Sequence, residues 1–426
     1  MDDEARRRSL SRRDFLSLTA AGLTGTAAAS LLAACSQAAP ASQPSGAQSQ
    51  PAAGGAPAKP AGEPVKVGLI QPLTGSVAAS GGYVRSGTEI ARDWINERGG
   101  VLGRPVQLVI EDNKSDPKEA ASAAEKLIVS DKVPCIIGCW GSSMTLAALP
   151  KVEQYGVPLL VETSSAGAIT TSGNPWVFRI SPSSSREVAG FARYYDNFKI
   201  TKADFLNVNT DWGRTSDKEY GDLVASKGGS KGASEFMEQS ATDMGAQLTR
   251  IQQSGGDTLF LTTAVEQIVL VMKQMQERRM TPQLITTGGS NAPDQLIEQA
   301  GAAAEGSYHV LFFMPWFPEA MPNPSLAMSF IEEWKRRGHP MSGIAEGFRG
   351  HDALLTLTEA IGKAGKAEAG AIKDALWTVQ VQGLNGPIKF EKEGPAGKES
   401  GQSQPSIFVV QIKGGKVVLP DFAKPS

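Results

Sequence analysis

Segments with the composition of β-strands alternate with segments of helical periodicity along most of the chain. The strand-like run VKVGLIQPL is followed by a helix-like stretch, YVRSGTEIARDWINERGG, and by a second strand-like run, RPVQLVIEDN. The next segment has the start signals of a helix, with Asp116 as cap, Pro117 in the first turn and Glu119 three residues beyond the cap. Strands that alternate with helices predict parallel sheets that are covered on both faces.

The alternation comes in two series. The first ends near the strand-like run VPLLVE, and the second begins after Pro182 and includes ADFLNVN, DTLFLTT, VEQIVLVMKQMQERR and QLITTG. A helix-rich stretch over 326–378 and a hairpin-like tail follow. Roughly 360 residues are available for folding, which is enough for two lobes with cores of their own. We therefore predict an α/β protein of two lobes, between which the chain crosses more than once.

The first 34 residues have the layout of an export signal. Arg12 and Arg13 precede an uncharged run over 15–34, which is as long as the roughly 20 residues of a membrane span. Ala, Gly, Ser and Thr outnumber Leu and Phe in this run, whereas a lasting span is richer in Leu, Ile and Val. A removable signal peptide fits better than a span, and a buried helix with an incidental cysteine is the alternative.

Two short motifs in this region resemble bacterial export signals. SRRDFL resembles the twin-arginine motif, which directs the export of folded proteins, and LAAC resembles a lipobox, whose cysteine becomes the lipid-carrying N-terminus. The resemblance implies that Arg12 and Arg13 form the export motif and that Cys35 carries the lipid. Residues 35–64 would then be the lipidated cysteine and a disordered tether, because they are almost entirely Ala, Pro, Ser, Gly and Gln.

Charge and histidine content argue against two kinds of partner. The chain has 42 Lys and Arg against 44 Asp and Glu, a formal net charge of −2, whereas nucleic-acid binders carry a basic excess. The histidines His309, His339 and His351 are far apart in the sequence, which gives no metal-ligand spacing. We expect neither a nucleic-acid partner nor a metal site.

Two cysteines, Cys135 and Cys139, lie in the apolar run VPCIIGCWG, which has the pattern of a buried strand. On an extended strand, residues four positions apart are separated by about 13 Å, which is too far for a disulfide. A bend at Gly138 would bring them closer, so free thiols and a disulfide both stay open.

Motifs of the common enzyme classes are missing from the sequence. It contains no Walker A loop, no GxGxxG after the first strand, no HExxH and no GxSxG. His351 and Asp352 are an adjacent histidine–acid pair, but they open an apolar helical pattern, so Asp352 is interpreted as a helix-start residue. A hydrolase with paired carboxylates stays open, since any two acids can meet in space. We predict a chain without enzymatic activity and without a cofactor.

Polar residues follow five of the predicted strands, and ligands bind beyond strand ends in open α/β sheets. Hydroxyl groups and the N–H groups of a helix start suit a carboxylate or another small anion, and tryptophan supplies an apolar wall. Ordinary turns are also rich in Gly, Ser and Thr, so a single loop decides nothing. The five loops are 139–143, 163–165, 210–213, 262–264 and 287–291.

With these loops, the chain resembles the type I periplasmic solute-binding proteins of ABC importers, in their leucine/isoleucine/valine-binding branch. The most specific segments are INERGGVLGRPVQLVIEDNKSDPKEAASAAEKLI and HDALLTLTEAIGKAG. The resemblance implies a clam-shell of two Rossmann-like lobes with parallel sheets, joined by a three-stranded hinge. Lobe 1 would comprise 65–184 and 313–385, and lobe 2 would comprise 185–312 and 386–420.

The resemblance also implies a solute site between the lobes. In amino-acid binders, a serine in the first of these loops holds the ligand carboxylate, a hydroxyl-rich loop holds both ends of the amino acid's backbone, and an aromatic residue of the second lobe closes over the ligand. Ser142 matches the serine, Ser165 keeps the hydroxyl of the loop, and Trp212 matches the aromatic residue. The positions so matched are Ser142, Ser143, Thr163, Ser164, Ser165 and Trp212.

Three further positions of the site depart from the family's pattern. Thr263 stands where a second aromatic residue is usual, Gly289 where an acid binds the ligand's ammonium group, and Ser80 where the first lobe often has an aromatic residue. Burying an ammonium group without an acid costs on the order of several kcal/mol. Either the ligand has no ammonium group, or another acid substitutes for the missing one. The candidate substitutes are Glu162, Asp211 and Glu266.

The expected protein is a lipid-anchored, extracytoplasmic monomer that binds a small solute. The solute would be a branched-chain amino acid or a related small carboxylate or amide, which the protein delivers to the permease subunits of an ABC importer. A ligand-sensing receptor subunit of the same fold is the first alternative, and a twin-arginine-exported enzyme is the second.

Overall fold

The computed structural model describes residues 60–289 and 291–424. The predicted signal peptide, most of the predicted tether, and the residues Arg12, Arg13 and Cys35 lie outside this part of the chain. Within it, no helix is both long enough and apolar enough to cross a membrane.

The first series of strands and helices follows the predicted alternation. Its elements are β1 (Val65–Gln71), α1 (Ala78–Glu97), β2 (Val106–Asp112), α2 (Pro117–Val129), β3 (Ile136–Ile137), α3 (Ser142–Tyr155), β4 (Leu159–Val161), α4 (Ala168–Thr171) and β5 (Val177–Arg179). Asp116 caps α2 as its sequence motif predicts, because its carboxylate accepts the backbone N–H groups of Lys118 and Glu119. Six of the seven residues of β1 are buried, which explains its nearly unbroken apolar composition.

The second series repeats the pattern. Its elements are α5 (Ser184–Phe191), β6 (Lys202–Val208), α6 (Asp211–Ser226), β7 (Ser230–Met237), α7 (Gly245–Ser254), β8 (Thr258–Thr262), α8 (Val265–Glu277), β9 (Gln283–Thr286), α9 (Pro293–Ala300) and β10 (Tyr308–Leu311). Short 3-10 turns occupy Tyr195–Asn197 and Gly301–Ala304. Helix α6 begins directly after the polar end of β6, where the Thr210 hydroxyl accepts the N–H of Gly213 and caps the helix.

The last hundred residues contain helices first and short strands afterwards. Their elements are α10 (Pro324–Arg336), α11 (Ile344–Ala364), α12 (Ala369–Leu376), β11 (Val381–Gln382), β12 (Pro387–Ile388), β13 (Glu391–Glu393), β14 (Ser400–Gln402), β15 (Phe408–Lys413) and β16 (Lys416–Val418). Further 3-10 turns lie at Pro318–Ala320, Met341–Gly343 and Asp421–Ala423.

Two seven-stranded sheets, one in each lobe, organise the described residues. The first sheet has the strand order β13-β14-β5-β4-β3-β1-β2, and the second has the order β16-β15-β10-β9-β8-β6-β7. Neighbours among β1 to β5 pair in parallel, and so do neighbours among β6 to β10, while β13, β15 and β16 add antiparallel pairs. The predicted α/β fold with two Rossmann-like lobes is therefore confirmed.

One lobe boundary differs from the expected one. The sequence analysis assigns 386–420 to lobe 2, but β13 and β14 form a hairpin, and β14 pairs with β5 in the first sheet. Gly401 permits this pairing, because a Cβ atom at its position would lie 2.3 Å from the Phe178 ring. The last crossing between the lobes therefore lies between β14 and β15 rather than at residue 385.

Three stretches of chain cross between the lobes, after β5, after β10 and after β14. Two buried side chains, Asp352 and Asn385, tie the last two of these stretches to the turn between β11 and β12. The Asp352 carboxylate accepts the backbone N–H of Leu384 at 2.8 and 2.9 Å and that of Asn385 at 3.3 Å. The Asn385 amide in turn donates to the carbonyl oxygens of Phe312 and Ser406. The interpretation of Asp352 as a helix-start residue is wrong, because it lies inside α11 and anchors the hinge.

Helices α1 and α11 of lobe 1 pack with their backbones in contact. A Cβ atom at Gly87 would lie 1.7 Å from the carbonyl oxygen of Gly347, and one at Gly350 would lie 2.1 Å from that of Val84. Only glycine allows this approach, which positions α11 and its polar residues beside the hinge.

We predict that Gly87→Ala destabilises the protein by about 3 kcal/mol, because its methyl group collides with the backbone of α11. Gly82→Ala is the matched control on the same helix, since no atom lies within 4 Å of its added Cβ atom. It should change stability by no more than about 1 kcal/mol, in the stabilising direction. Urea unfolding of both variants checks this, and equal stabilities would contradict the close contact.

Candidate ligand-binding cleft

A cavity lies between the lobes at the carboxyl ends of the parallel strands. Its lining comes from the loop after β3, the loop after β4, the first turn of α6 and the turn after β9. The residues are Trp140, Gly141, Ser142, Thr163, Ser164, Ser165, Trp212 and Gly288. The structure therefore brings together five of the predicted ligand-binding residues, from two lobes and distant parts of the sequence.

A second cavity continues the first on the side of α6 and α8. It shares four lining residues with the first cavity, Trp140, Gly141, Ser142 and Trp212, and among the residues that it adds are Ser143 and Thr263. Two more predicted residues therefore line the same cleft, although the Thr263 hydroxyl is already bonded to Gln267 Oε1 at 2.5 Å.

Internal hydrogen bonds fix the hydroxyl-rich loop after β4. Ser164 Oγ lies 2.6 Å from Cys139 O and 2.6 Å from Thr145 Oγ1, so this side chain supports the loop from behind. The Ser142 hydroxyl accepts the N–H of Ala166 at 3.1 Å and joins α3 to the same loop. The two polar loops of lobe 1 therefore form one rigid wall of the cleft.

Trp212 forms the opposite wall and depends on a glycine. A Cβ atom at Gly288 would lie 2.0 Å from the indole ring, and the φ of Gly288 is +83°, which also favours glycine. The indole Nε1 is buried and has no hydrogen-bond partner within the described chain. This N–H group is therefore available to a polar atom in the cleft.

Direct contacts join the lobes across the cleft. Ser143 Oγ donates to Asp211 Oδ2 at 2.6 Å, and Arg349 Nη2 donates to the carbonyl oxygen of Gly289 at 2.8 Å. In this closed arrangement the two cleft cavities measure about 20 and 30 Å³. A solute can therefore enter only when the lobes separate.

Three predicted positions lie elsewhere. Ser80 is buried in the first turn of α1 and is not among the described residues that line either cleft cavity. Gly289 does not line the first cavity, although the adjacent Gly288 does. The carbonyl oxygen of Gly289 instead accepts a hydrogen bond from Arg349. Glu162 points toward the hinge, where its Oε1 accepts the amide of Gln71 at 2.9 Å and the residue lines a hinge cavity.

The other two candidate acids also have definite surroundings. Asp211 accepts the hydroxyl of Ser143, so it holds the lobes together in this arrangement. Glu266 lies in the first turn of α8, and its Oε2 is buried without a hydrogen-bond partner in the described part of the chain. Burial raises the pKa of Glu266, and the nearby Glu346 carboxylate raises it further.

Buried charges on α11 were not expected from the sequence. Arg349 Nε lies 3.3 Å from Glu346 Oε2, and this same oxygen accepts the Trp140 indole N–H at 3.2 Å. Across the cleft, Glu187 accepts the N–H of Gly288 at 2.8 Å and the hydroxyl of Tyr220 at 2.7 Å. The signal in the sequence is the presence of Glu346 and Arg349 inside the largely apolar helical segment IAEGFRGHDALL.

Burial strongly raises the pKa values of two of the carboxyl groups around Arg349. It raises the pKa of Glu162 to about 7 and that of Glu187 to about 7, and in both cases the Arg349 charge opposes the shift only in part. These carboxyls therefore exchange protons near neutral pH.

The two cysteines are buried and form no disulfide in the described residues. Burial raises the pKa of the Cys135 thiol to about 12 and raises that of Cys139 as well, so both stay protonated. The described residues contain no group of three or more His, Cys, Asp or Glu side chains that could hold a metal ion.

Two α/β lobes that close on a polar cleft define a bilobed binding protein. The model of a family described as periplasmic binding protein matches residues 64–416. The chain belongs to this family, whose name places its members outside the cytoplasm.

Individual relatives are also solute-binding proteins. The leucine-, isoleucine-, valine-, threonine- and alanine-binding protein of Pseudomonas aeruginosa is 24% identical over 335 residues, which cover 78% of this chain and 87% of that protein. The crystal structure of a leucine binding protein from Thermotoga maritima has a TM-score of 0.73 and 28% identity, over 84% of this chain and 97% of that one. A solute binding protein of an ABC transporter from R. palustris, in complex with benzoate, has a TM-score of 0.72 and 21% identity, over 84% and 95% of the chains.

We predict that Glu162→Gln stabilises the protein at pH 8 by up to about 3 kcal/mol and has little effect at pH 4. The pKa of Glu162 is raised from 4.5 to about 7 on folding. Below pH 4.5 the carboxyl is protonated in both states. As pH rises from 4.5 to 7, the unfolded chain loses the proton first, so the wild-type loses stability over that window.

Denaturant unfolding at pH 4, 6 and 8 measures this dependence. Glu277→Gln, at the exposed end of α8, is the control and should follow the wild-type at each pH. A Glu162→Gln variant that loses stability in parallel with the wild-type would show that Glu162 ionises normally.

Proposed function

We propose that this chain is an extracytoplasmic solute-binding lipoprotein that delivers a small carboxylate-bearing solute to an ABC importer. The solute is a branched-chain amino acid or a related compound. The observation that carries the proposal is the cleft between the lobes, where a helix start, a hydroxyl-rich loop and a tryptophan meet. The leucine-binding and benzoate-bound proteins named above support the proposal, since leucine and benzoate both carry a carboxylate.

The first wall of the cleft suits the carboxylate. Helix α3 has 14 residues and begins at Ser142. Its cap residue is Gly141, which has no side chain to cap the N–H groups of the first turn. The N–H groups of such a helix start attract anions. The nearby hydroxyl of Ser165, which donates weakly to the carbonyl oxygen of Thr163 at 3.3 Å in this arrangement, adds a donor when it turns toward the solute. The Trp212 ring then covers the apolar part of the solute from the second lobe.

Lobe closure supplies the signal to the importer. A solute that contacts both walls binds the closed arrangement better than the open one, so it shifts the protein toward closure. The permease subunits can then distinguish loaded from empty protein by the relative position of the lobes.

We predict that leucine, isoleucine, valine or benzoate binds with a dissociation constant that Ser165→Ala raises about tenfold, because a hydrogen bond to a charged group is lost. Trp212→Ala should raise it further through lost apolar contact. Ser122→Ala, on the exposed side of α2, is the control. Isothermal titration of the mature chain checks this, and a solute bound equally by all variants would place the site elsewhere.

We predict that Cys35→Ala releases the chain from the membrane fraction and abolishes lipid labelling, because a lipobox cysteine carries its diacylglyceryl group on the thiol sulfur. Ser36→Ala is the control and should remain membrane-associated. Replacing both Arg12 and Arg13 by lysine should instead leave unprocessed chain in the cytoplasm of a host with a twin-arginine pathway. Fractionation with labelled palmitate checks both, and a membrane-bound Cys35→Ala chain would contradict the anchor.

A further inference from the structure

A third cavity lies in the hinge, directly behind the loop that begins with Thr163. Segments from all three crossings and from α11 enclose it, and most of its lining is apolar. Its volume of about 20 Å³ exceeds the roughly 10–15 Å³ that one ordered water needs. The cavity therefore has room for a small polar group rather than for a whole amino acid.

Three side chains that line this cavity each have an atom without a hydrogen-bond partner among the described residues. These atoms are Glu162 Oε2, Arg349 Nη1 and Ser403 Oγ. The three residues are 1%, 2% and 1% exposed, so bulk water does not satisfy them. Buried polar atoms are nearly always paired, and three unpaired ones around one cavity indicate a polar occupant.

The other polar side chains of the lining are already paired. Ser181 Oγ donates to the carbonyl oxygen of Ser164 at 3.3 Å. Asp352 accepts the backbone N–H groups of Leu384 and Asn385, and the Asn385 amide binds the backbone of two crossing segments. Among the polar side chains that line this cavity, those with an unpaired polar atom are therefore Glu162, Arg349 and Ser403.

The Arg349 guanidinium is held firmly enough to present one nitrogen. Its Nη2 donates to Gly289 and its Nε faces Glu346, as described above. Its central carbon lies 5.2 Å from the centre of the Phe312 ring and 5.7 Å from that of Phe348, and both rings line the cavity. With two nitrogens engaged and the rings against the guanidinium, Nη1 remains as a fixed donor.

We infer that the hinge cavity is a subsite for a primary carboxamide group. Its carbonyl oxygen accepts from Arg349 Nη1, its NH₂ group donates to Glu162 Oε2, and the Ser403 hydroxyl completes the set. A carboxamide is neutral and carries a donor and an acceptor side by side. A carboxylate would satisfy Arg349 but would face the acidic Glu162, and a methyl group would satisfy neither.

Two sources can supply this group. It is either the distal end of the solute in the cleft, a reading that rests on the proposed function, or a separate small amide. Glu162 adjoins Thr163, and Arg349 binds the neighbour of Gly288, so the subsite lies one residue behind the cleft wall on two sides.

The test compares ligands that differ only at the distal group. Isothermal titration uses glutamine and asparagine against glutamate, methionine and leucine, and thermal shift compares acetamide with acetate. We expect a carboxamide amino acid to bind about a hundredfold tighter than methionine, because a site built for hydrogen bonds rejects an apolar analogue. If the occupant is a separate amide, acetamide should raise the melting temperature and acetate should not.

Variants assign the effect to the hinge. Ser403→Ala and Glu162→Gln should each reduce the carboxamide preference about tenfold and leave leucine binding unchanged. Ser226→Ala, at the exposed end of α6, is the control. If leucine binds but glutamine, asparagine and methionine bind alike and acetamide has no effect, the subsite is refuted and the proposed function stands. If neither an amino acid nor benzoate binds while acetamide stabilises the wild-type and not Ser403→Ala, the proposed function fails and the subsite stands.

Discussion

The hydrogen bonds of the Asp352 carboxylate are the contact on which the arrangement of the two lobes depends. A buried carboxylate is costly unless donors surround it, and here backbone N–H groups of Leu384 and Asn385 provide them. Asn385 then binds two of the crossing segments through Phe312 and Ser406. Since α11 also packs against α1 at backbone distance, the hinge is fastened to lobe 1 through a single long helix.

Helix α11 also connects the hinge to the base of the cleft. Arg349 lies three residues before Asp352, roughly one helical turn away, and reaches the second lobe through Gly289. Its guanidinium stands among the carboxyl groups of Glu162, Glu187 and Glu346, which it partly compensates. Helix α11 therefore sets both the hinge geometry and the charge at the base of the cleft. A change in the hinge geometry should alter the surroundings of these charges, and a change in the charges should alter the hinge.

The sequence predicts those parts of the molecule that depend on local patterns. The alternation of strands and helices, the cap at Asp116 and the polar strand ends with Ser142, Ser165 and Trp212 all follow from neighbours in the chain. The position of β14 beside β5 does not, because strand pairing between distant segments leaves no local signal. Arg349 and Glu346 escaped prediction for a related reason, since two charges in a helix indicate a solvated face unless the tertiary structure buries them. Ser80 shows the reverse case, in which a matched position is buried in α1 away from the cleft lining.

The closing contacts explain why a solute is needed at all. The hydrogen bond between Ser143 and Asp211 is exposed, and such contacts contribute roughly 1 kcal/mol or less. The Arg349–Gly289 hydrogen bond involves a charge and contributes about 1.5–3 kcal/mol. Contacts of this size hold the lobes together only marginally against the freedom that they lose on closing. On the proposed function, the additional free energy comes from a solute that touches the serine loops and Trp212 at once, so that the closed arrangement marks the loaded protein.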